Sequence, residues 1–220
     1  MQIEIKDIDI VFDQKVIYKN FSLTIDEGEF VCILGKSGTG KTVLLNSILG
    51  NVKPTKGTIK VDGKIVERPT KQIGVAYQDF SILPWMTLRQ NIKLGSARDE
   101  NIEKYAEVMK ISQYLDMRPK EVSIGTKQRA SIARALSSDA KLILMDEPLC
   151  SVDAITSQQI RADIKDICKG NTVVYITHDI HEVFELSTRV ICIGIQGSIL
   201  LDCPTTETSY DQILTKLDEK

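Results

Sequence analysis

The most specific sequence motif is a glycine-rich segment that lies between the apolar run 30–34 and the apolar helical pattern that begins at Val43. Residues 35–42 read Gly-Lys-Ser-Gly-Thr-Gly-Lys-Thr, which is the spacing G-x-x-x-x-G-K-[ST] of a phosphate-binding loop. Glycines let the backbone curl, so that successive N–H groups can surround an anion at the beginning of a helix. An ordinary glycine-rich turn would rarely carry all the fixed positions of this pattern between a strand and a helix. We therefore predict that this segment binds phosphate groups.

Each residue type in this loop suits one part of a nucleotide. The backbone N–H groups from Ser37 to Thr42 would hold phosphate oxygens, and the ammonium group of Lys41 would reach the β- and γ-phosphates. The hydroxyl of Thr42 is placed to join a Mg²⁺ ion whose other ligands are water and phosphate oxygens. The predicted phosphate-binding residues are Gly35, Ser37, Gly38, Thr39, Gly40, Lys41 and Thr42.

A second group of candidate residues follows predicted buried strands. The apolar run 142–145 predicts a parallel strand that ends in the adjacent acids Asp146 and Glu147. Acids at the carboxyl end of such a strand lie where α/β folds bind ligands. The strand predicted at 172–177 would deliver His178 to the same edge. A histidine after a strand is more often structural than functional, and the residue types alone leave both interpretations open.

The elements around these residues alternate between strands and helices. Residues 3–25 alternate apolar with polar residues, which predicts an antiparallel β layer with turns at 13–14 and 19–20. Residues 73–77 predict a strand that ends before Gln78. Further strands are predicted at 58–61, 189–193 and 198–201, and helices at 155–168, 180–186 and 210–217.

The pattern becomes helical between residues 81 and 137. We predict a helical subdomain at 81–137, inserted into a catalytic core of residues 1–80 and 138–220. Ser123 is a candidate N-cap for a helix at 125–136. The apolar segment around Trp85 would either pack within this subdomain or dock another protein.

Composition excludes several other classes of protein. The chain has 220 residues and a net charge of −2 without a run of Lys and Arg, so nucleic acid is not predicted as a partner. The beginning of the chain lacks the pattern of a signal peptide, and no apolar run is long enough to span a bilayer.

The five cysteines show no C-x-x-C spacing and predict free thiols in a reducing cytosol. Cys32 and Cys192 lie in apolar runs and are predicted to be core residues.

Together these motifs resemble the ATP-binding cassette (ABC) ATPases. The segment from Gln78 to Thr87, with its Leu-Pro-Trp run, is similar to the glutamine-loop region of bacterial importer ATPases of the nitrate, sulfonate and taurine group. The resemblance implies an α/β P-loop NTPase fold with a RecA-like, mostly parallel sheet, an N-terminal antiparallel β layer and an inserted α-helical subdomain. The matching motifs are the phosphate loop, Gln78, Ser123 with Gly125, Asp146-Glu147-Pro148, Asp153 and His178.

The resemblance also implies roles for these residues in ATP hydrolysis. Glu147 would be the general base that activates water, and His178 would contact the γ-phosphate. Thr42, Gln78 and Asp146 would hold Mg²⁺. Phe12, which by spacing alone reads better as a core residue, would stack on adenine. Ser123, Gly125 and Asp153 would belong to the ATP site of a head-to-tail dimer.

The implied assembly is a transporter at the cytoplasmic face of the cell membrane. Two nucleotide-binding subunits would bind two ATP molecules and dock on separate transmembrane permease subunits, so that the chain meets the membrane only through partners. The sequence departs from the family at Ile124, where a glycine is usual. If that position has a left-handed backbone, closure of the dimer would be strained by about 1–2 kcal/mol.

Two other functions compete with this interpretation. A regulatory ABC subunit would bind ATP and hydrolyse it weakly because of the altered loop at residues 122–126. A soluble P-loop enzyme such as a nucleotide kinase would transfer phosphate to a nucleoside or nucleotide, but only the phosphate loop favours it. Glu147 argues against the regulatory subunit, because a module that only binds ATP needs no base.

Overall fold

The computed structural model describes residues 1–70, 72–79, 81–96, 98–150 and 152–218. Phe80 and Ser151, which belong to the motif segments, lie outside the described residues. The chain divides into two compact units, here called unit 1 (residues 1–70 and 170–220) and unit 2 (residues 71–169). In chain order the elements are β1 Ile3–Phe12, β2 Lys15–Ile25, β3 Phe30–Leu34, α1 Lys41–Leu49, β4 Lys56–Val61, β5 Lys64–Ile65, β6 Ile73–Ala76, α2 Leu88–Lys93, α3 Asp99–Val108, α4 Ile124–Leu136, β7 Leu142–Asp146, α5 Ala154–Ile167, β8 Thr172–Ile176, α6 Ile180–Leu186, β9 Arg189–Ile193, β10 Ile199–Pro204 and α7 Tyr210–Asp218.

The antiparallel layer of unit 1 has the strand order β2-β1-β4-β5. Its apolar face is buried because isoleucines recur at one side of β1. The predicted turn at 19–20 is wrong, since β2 continues through both residues. Asn20 has a φ of 49°, and the pairing with β1 shifts register between the pairs Ile8↔Phe21 and Ile10↔Tyr18. Asparagine tolerates this conformation, so the local signal for a turn produces a bulge inside a strand.

The second sheet of unit 1 is mostly parallel. β3 lies between β8 and β9 and runs parallel to both, while β10 pairs with β9 in the antiparallel direction. Every residue of β3 and β8 is buried, as expected for strands covered on both faces. Cys32 and Cys192 are buried in β3 and β9, which confirms the prediction that they are core residues.

Unit 2 combines a short parallel strand pair with helices. β6 and β7 pair in parallel, with Ala76 opposite Met145. A side-chain carbon on Gly74 would lie 2.4 Å from the backbone oxygen of Ala135, so α4 packs directly on β6. Ser123 caps α4 as predicted, because its side chain accepts a hydrogen bond from the N–H of Thr126. Of the helices in the described residues, none is long and apolar enough to cross a membrane.

Candidate nucleotide site

The phosphate loop of unit 1 begins where β3 ends, and its glycines are required by packing. A side-chain carbon on Gly35 would lie 2.4 Å from the backbone oxygen of Ile193. Gly38 and Gly40 have φ values of 83° and 98°, which favour glycine. On Gly40 the added carbon would also lie 2.6 Å from Cγ2 of Ile17, so the end of the loop packs on β2. These contacts hold the backbone in the curled path that an anion site needs.

Lys41 is a buried cation enclosed by this loop. It is the first residue of α1 and only 8% exposed. Its Nζ donates hydrogen bonds to the backbone oxygens of Gly35, at 2.7 Å, and Lys36, at 3.1 Å. The first N–H groups of an α-helix lack helical partners and carry partial positive charge. A buried ammonium group and these N–H groups together suit a polyphosphate.

Of the remaining loop residues, Thr39 stabilises the loop, whereas the others are exposed to solvent. Thr39 is buried and its Oγ1 donates to the backbone oxygen of Lys36 at 2.9 Å, which ties the two arms of the loop together. Ser37, Gly38 and Thr42 are exposed. The Thr42 hydroxyl, in the first turn of α1, is therefore open to an incoming ligand.

His178 lies at the same sheet edge as the loop. The N–H of Thr177 donates to the backbone oxygen of Ile33 at 3.2 Å, so the ends of β8 and β3 are adjacent. His178 follows Thr177 and is exposed. Its neighbour Asp179 caps α6 by accepting a hydrogen bond from the N–H of His181 at 2.8 Å. Within unit 1, His178 therefore follows the end of β8 next to the end of β3, where the phosphate loop begins, and its role at the γ-phosphate stays a prediction.

Phe12 ends β1 in the hairpin that packs on the loop. Its side chain is 45% exposed, so the interpretation of Phe12 as a core residue is wrong. Phe12 pairs with Lys15, and the same hairpin carries Ile17 against Gly40. The exposed ring therefore belongs to the β layer that contacts the phosphate loop, and its stacking on adenine stays a prediction.

Tyr18 supports the loop, and sequence reasoning missed it. Its ring is buried and would lie 3.0 Å from a side-chain carbon on Gly40 and 2.5 Å from one on Gly197. Burial raises the pKa of Tyr18 well above its usual value. Its hydroxyl has no hydrogen-bond partner in the described part of the chain. The alternating pattern of β2 indicates that Tyr18 is buried, but nothing local indicates which loop it meets.

The candidate catalytic acids of unit 2 end β7. Asp146 is 2% exposed and Glu147 is partly exposed. Gln78 is exposed and follows β6. Because β6 and β7 are parallel neighbours, their carboxyl ends bring Gln78 to the edge that carries both acids. Glu147 has a φ of 45°, a left-handed conformation that is uncommon for a residue other than glycine.

The altered loop at residues 122–126 of unit 2, here called the signature loop, has no left-handed backbone at Ile124. Ile124 is the first residue of α4 and has the helical conformation, with its side chain 56% exposed. A β-branched residue fits this position without strain, so the expected cost of a left-handed backbone does not apply. Ser123 Oγ lies 2.9 Å from Oγ1 of Thr126, and Gly125 occupies the first turn of the helix.

Asp153 has a structural role as the N-cap of α5. Its Oδ1 accepts a hydrogen bond from the N–H of Thr156 at 2.9 Å. This backbone hydrogen bond is the main reason that the pKa of Asp153 lies below its usual value. The predicted contact of Asp153 with ATP stays a prediction beside this capping role.

Comparison with known proteins adds independent findings. A family model described as ABC transporter matches residues 18–150. The nitrate import ATP-binding protein NrtD of Synechocystis sp. is 36% identical over 94% of this chain and 85% of its own length. The bicarbonate transport ATP-binding protein CmpD of the same organism is 35% identical over 80% of this chain and 66% of its own length. The dimeric post-hydrolysis state of the ATP-binding cassette MJ0796, bound to ADP and Pi, superposes with a TM-score of 0.83 at 27% identity and covers 92% of this chain and 98% of that chain.

Proposed function

This chain belongs to the ABC transporter family as an ATP-hydrolysing subunit of the import type, and we propose that it works as a dimer docked on separate transmembrane permease subunits. In that assembly each subunit binds ATP, and closure and opening of the dimer move the permease. The reaction is transfer of the γ-phosphoryl group of ATP to water. The chain then sits at the cytoplasmic face of the membrane and meets the bilayer through its partners.

The phosphate loop is the observation that carries this proposal. The buried ammonium group of Lys41, held by the backbone oxygens of Gly35 and Lys36, lies among N–H groups at the beginning of α1. On binding, the β- and γ-phosphates take over this ammonium group as stronger, anionic acceptors. Phe12 supplies the exposed ring on which adenine stacks.

The donor atoms of Thr42, Gln78 and Asp146 fit Mg²⁺ chemically. They are a hydroxyl, an amide oxygen and a carboxylate, and Mg²⁺ prefers such oxygen ligands together with water and phosphate. Among the described residues no group of three His, Cys, Asp or Glu side chains could hold a metal. When bound, the ion neutralises charge on the phosphates.

Glu147 acts as the general base of hydrolysis. Its carboxylate accepts a proton from water as the water oxygen bonds to the γ-phosphorus and the bond to the β–γ bridging oxygen breaks. His178 binds a γ-phosphate oxygen and reports the presence of that group. Lys41 and the loop N–H groups stabilise the negative charge that develops on the phosphate oxygens.

Ser123 and Gly125 act across the dimer. The hydroxyl of Ser123 and the N–H of Gly125 reach the γ-phosphate held by the second subunit, and Asp153 belongs to the same interface. The helical backbone of Ile124 shows no left-handed strain in the altered loop at residues 122–126, which was the basis of the alternative of a regulatory subunit with weak hydrolysis. That alternative is not favoured.

The permease docks on a cleft of unit 2 beside Gln78. The cleft has a volume of about 600 Å³, and its floor includes Arg134, which donates to the backbone oxygen of Ser81 at 2.7 Å. Burial lowers the pKa of Arg134. Leu94 lines the cleft and is largely exposed. Its side chain would pack against an apolar helix of the permease. We place permease docking at the edge of the proposed helical subdomain at 81–137, and we propose that residues 1–80 and 138–220 form the catalytic core.

One preparation tests both hydrolysis and dimerisation. We expect wild-type protein to hydrolyse ATP, and Glu147→Gln to bind Mg-ATP, lose turnover and change from monomer to dimer by light scattering. Equal turnover in wild type and Glu147→Gln would refute the assignment of the base. Phosphate transfer to an added nucleoside or nucleotide would instead favour a kinase.

A further inference from the structure

Gln128 of unit 2 has a buried side chain that contacts the backbone of Glu147, the proposed general base. It belongs to α4, one turn after the helix begins at Ile124, and is only 1% exposed. Its Nε2 donates to the backbone oxygen of Glu147 at 3.3 Å and approaches Sγ of Cys150 at 3.9 Å. The amide therefore spans from α4, here called the signature helix because it begins in the altered loop at residues 122–126, to the peptide that follows the proposed base.

Glu147 needs such a contact because its backbone is strained. A left-handed φ in a residue other than glycine is unfavourable and persists only where the surroundings hold it. The backbone oxygen of Glu147 accepts one hydrogen bond from the N–H of Cys150 at 3.3 Å, within its own turn. The second comes from Gln128, on a different element. This second contact fixes the turn relative to α4.

The amide oxygen of Gln128 does not stabilise the folded protein. Its Oε1 is buried and has no hydrogen-bond partner in the part of the chain that the structure describes. A buried acceptor without a hydrogen-bond partner lowers the stability of the folded protein. A methionine of similar length would avoid this cost, so stability alone does not explain a glutamine here.

We propose that Gln128 is a positioning residue for ATP hydrolysis, whose side-chain amide holds the peptide after Glu147 and so connects the signature helix to the general base. This inference rests on the proposed role of Glu147. When the beginning of α4 moves in response to a γ-phosphate across the dimer, the amide of Gln128 carries that movement to the turn that aims the carboxylate. Gln128 is buried and contacts the backbone of Glu147, so its role is exerted through that residue.

The test is Gln128→Met, which keeps volume and removes both polar atoms. We expect kcat for ATP to fall at least tenfold, with KM for ATP and the dissociation constant of an ATP analogue within twofold of wild type. The unfolding temperature should stay equal or rise, because the unpaired oxygen is gone. A purely structural role would instead lower the unfolding temperature and leave kcat of the folded protein unchanged.

Ser131→Ala is the matched control. Ser131 lies on the same helix, is buried, and its Oγ also lacks a partner among the described residues. We expect Ser131→Ala to preserve stability and to keep wild-type turnover. If it loses turnover as Gln128→Met does, the effect belongs to packing of α4, and the inference is overturned.

Glu147→Gln separates this inference from the proposed function. If Glu147→Gln loses turnover while Gln128→Met keeps it, Glu147 is the base and the positioning role of Gln128 is wrong. If Glu147→Gln keeps turnover, the proposed base is wrong and the role of Gln128 falls with it. A fall in kcat of Gln128→Met that comes with a raised KM or a lower unfolding temperature also overturns the inference.

Discussion

The ammonium group of Lys41 lies 2.7 Å from the backbone oxygen of Gly35, so the loop closes on its own lysine. Gly35 follows the buried strand β3, and Lys41 begins α1. The hydrogen bond thus joins the two elements that the loop connects. It also holds the charge of Lys41 in a site with little access to water, where its interaction with phosphate is strengthened.

Lys41→Ala should weaken ATP binding at least tenfold and abolish measurable turnover. Hydrogen bonds to charged groups contribute about 1.5–3 kcal/mol, which corresponds to this loss. Isothermal titration with an ATP analogue and a phosphate-release assay would measure both. Lys36→Ala is the control, because the Lys36 side chain is exposed in the same loop. Unchanged affinity and turnover in Lys41→Ala would show that ATP binds elsewhere.

Gly40→Ala should weaken ATP binding, and it should do so more than a substitution at a glycine outside the phosphate loop. The added carbon meets Ile17 at 2.6 Å and must take a φ of 98°, so the loop is pushed away from β2. Gly28→Ala is the matched control, since Gly28 has a φ of 82° but nothing within 4 Å of the added carbon. We expect only a small drop in unfolding temperature for Gly28→Ala. Equal ATP affinity in the two variants would contradict the importance of the contact with β2.

Phe12→Ala should weaken ATP binding by about 1–3 kcal/mol, the usual contribution of stacking a base on an aromatic ring. The unfolding temperature should barely change because the ring is already half exposed. Phe184→Ala, on α6 and similarly exposed, provides the control. A comparison of ATP with inorganic triphosphate gives a further readout, since only ATP should respond. A large loss of stability with unchanged ATP affinity would return Phe12 to a purely structural role.

Ile124→Gly should restore the common signature residue with little gain in function. Because Ile124 is already helical, the change relieves no backbone strain, and ATP-induced dimerisation should change less than threefold. Glycine is a poorer helix former than isoleucine, so the unfolding temperature should fall slightly. Light scattering across an ATP titration measures the dimer. A gain of tenfold or more would mean that Ile124 obstructs closure.

The cap of α5 should make stability depend on pH through Asp153. The N–H of Thr156 favours the ionised carboxylate, so the pKa of Asp153 is lower in the folded protein than in the unfolded chain. Its contribution is present above the unfolded value of about 3.9 and is lost as pH falls through the folded pKa. We expect the difference in unfolding temperature between wild type and Asp153→Asn at pH 7 to shrink below about pH 4. Asp163→Asn, within the same helix, is the control, and a difference that is constant with pH would contradict the prediction.

Much of the candidate site follows from residues that are adjacent in the chain. The spacing of Gly35 to Thr42 predicts the loop, the run before Asp146 predicts its buried strand, and Ser123 predicts the cap of α4. These features depend on local backbone geometry and on the alternation of apolar residues, which a sequence displays directly. The same is true of His178, since parallel strands align their carboxyl ends.

The failures have a common physical cause. Asn20 carries a local preference for a turn, yet pairing along β1 keeps it in β2 and converts the turn into a bulge. Phe12 is apolar and ends a strand, yet no part of the fold covers it fully. In both cases the arrangement of the neighbouring elements decides the outcome, and local propensity does not determine that arrangement.

The sequence by itself determined which groups are candidates to bind phosphate, hold a metal and accept a proton, because those candidates are residue types at fixed spacing. Only the tertiary structure decided how these groups are held. It placed Tyr18 behind Gly40, gave Ile124 a helical backbone, and put the amide of Gln128 against the strained peptide of Glu147. Such contacts join residues far apart in the chain, and their geometry is set by packing of whole elements, which no local pattern encodes.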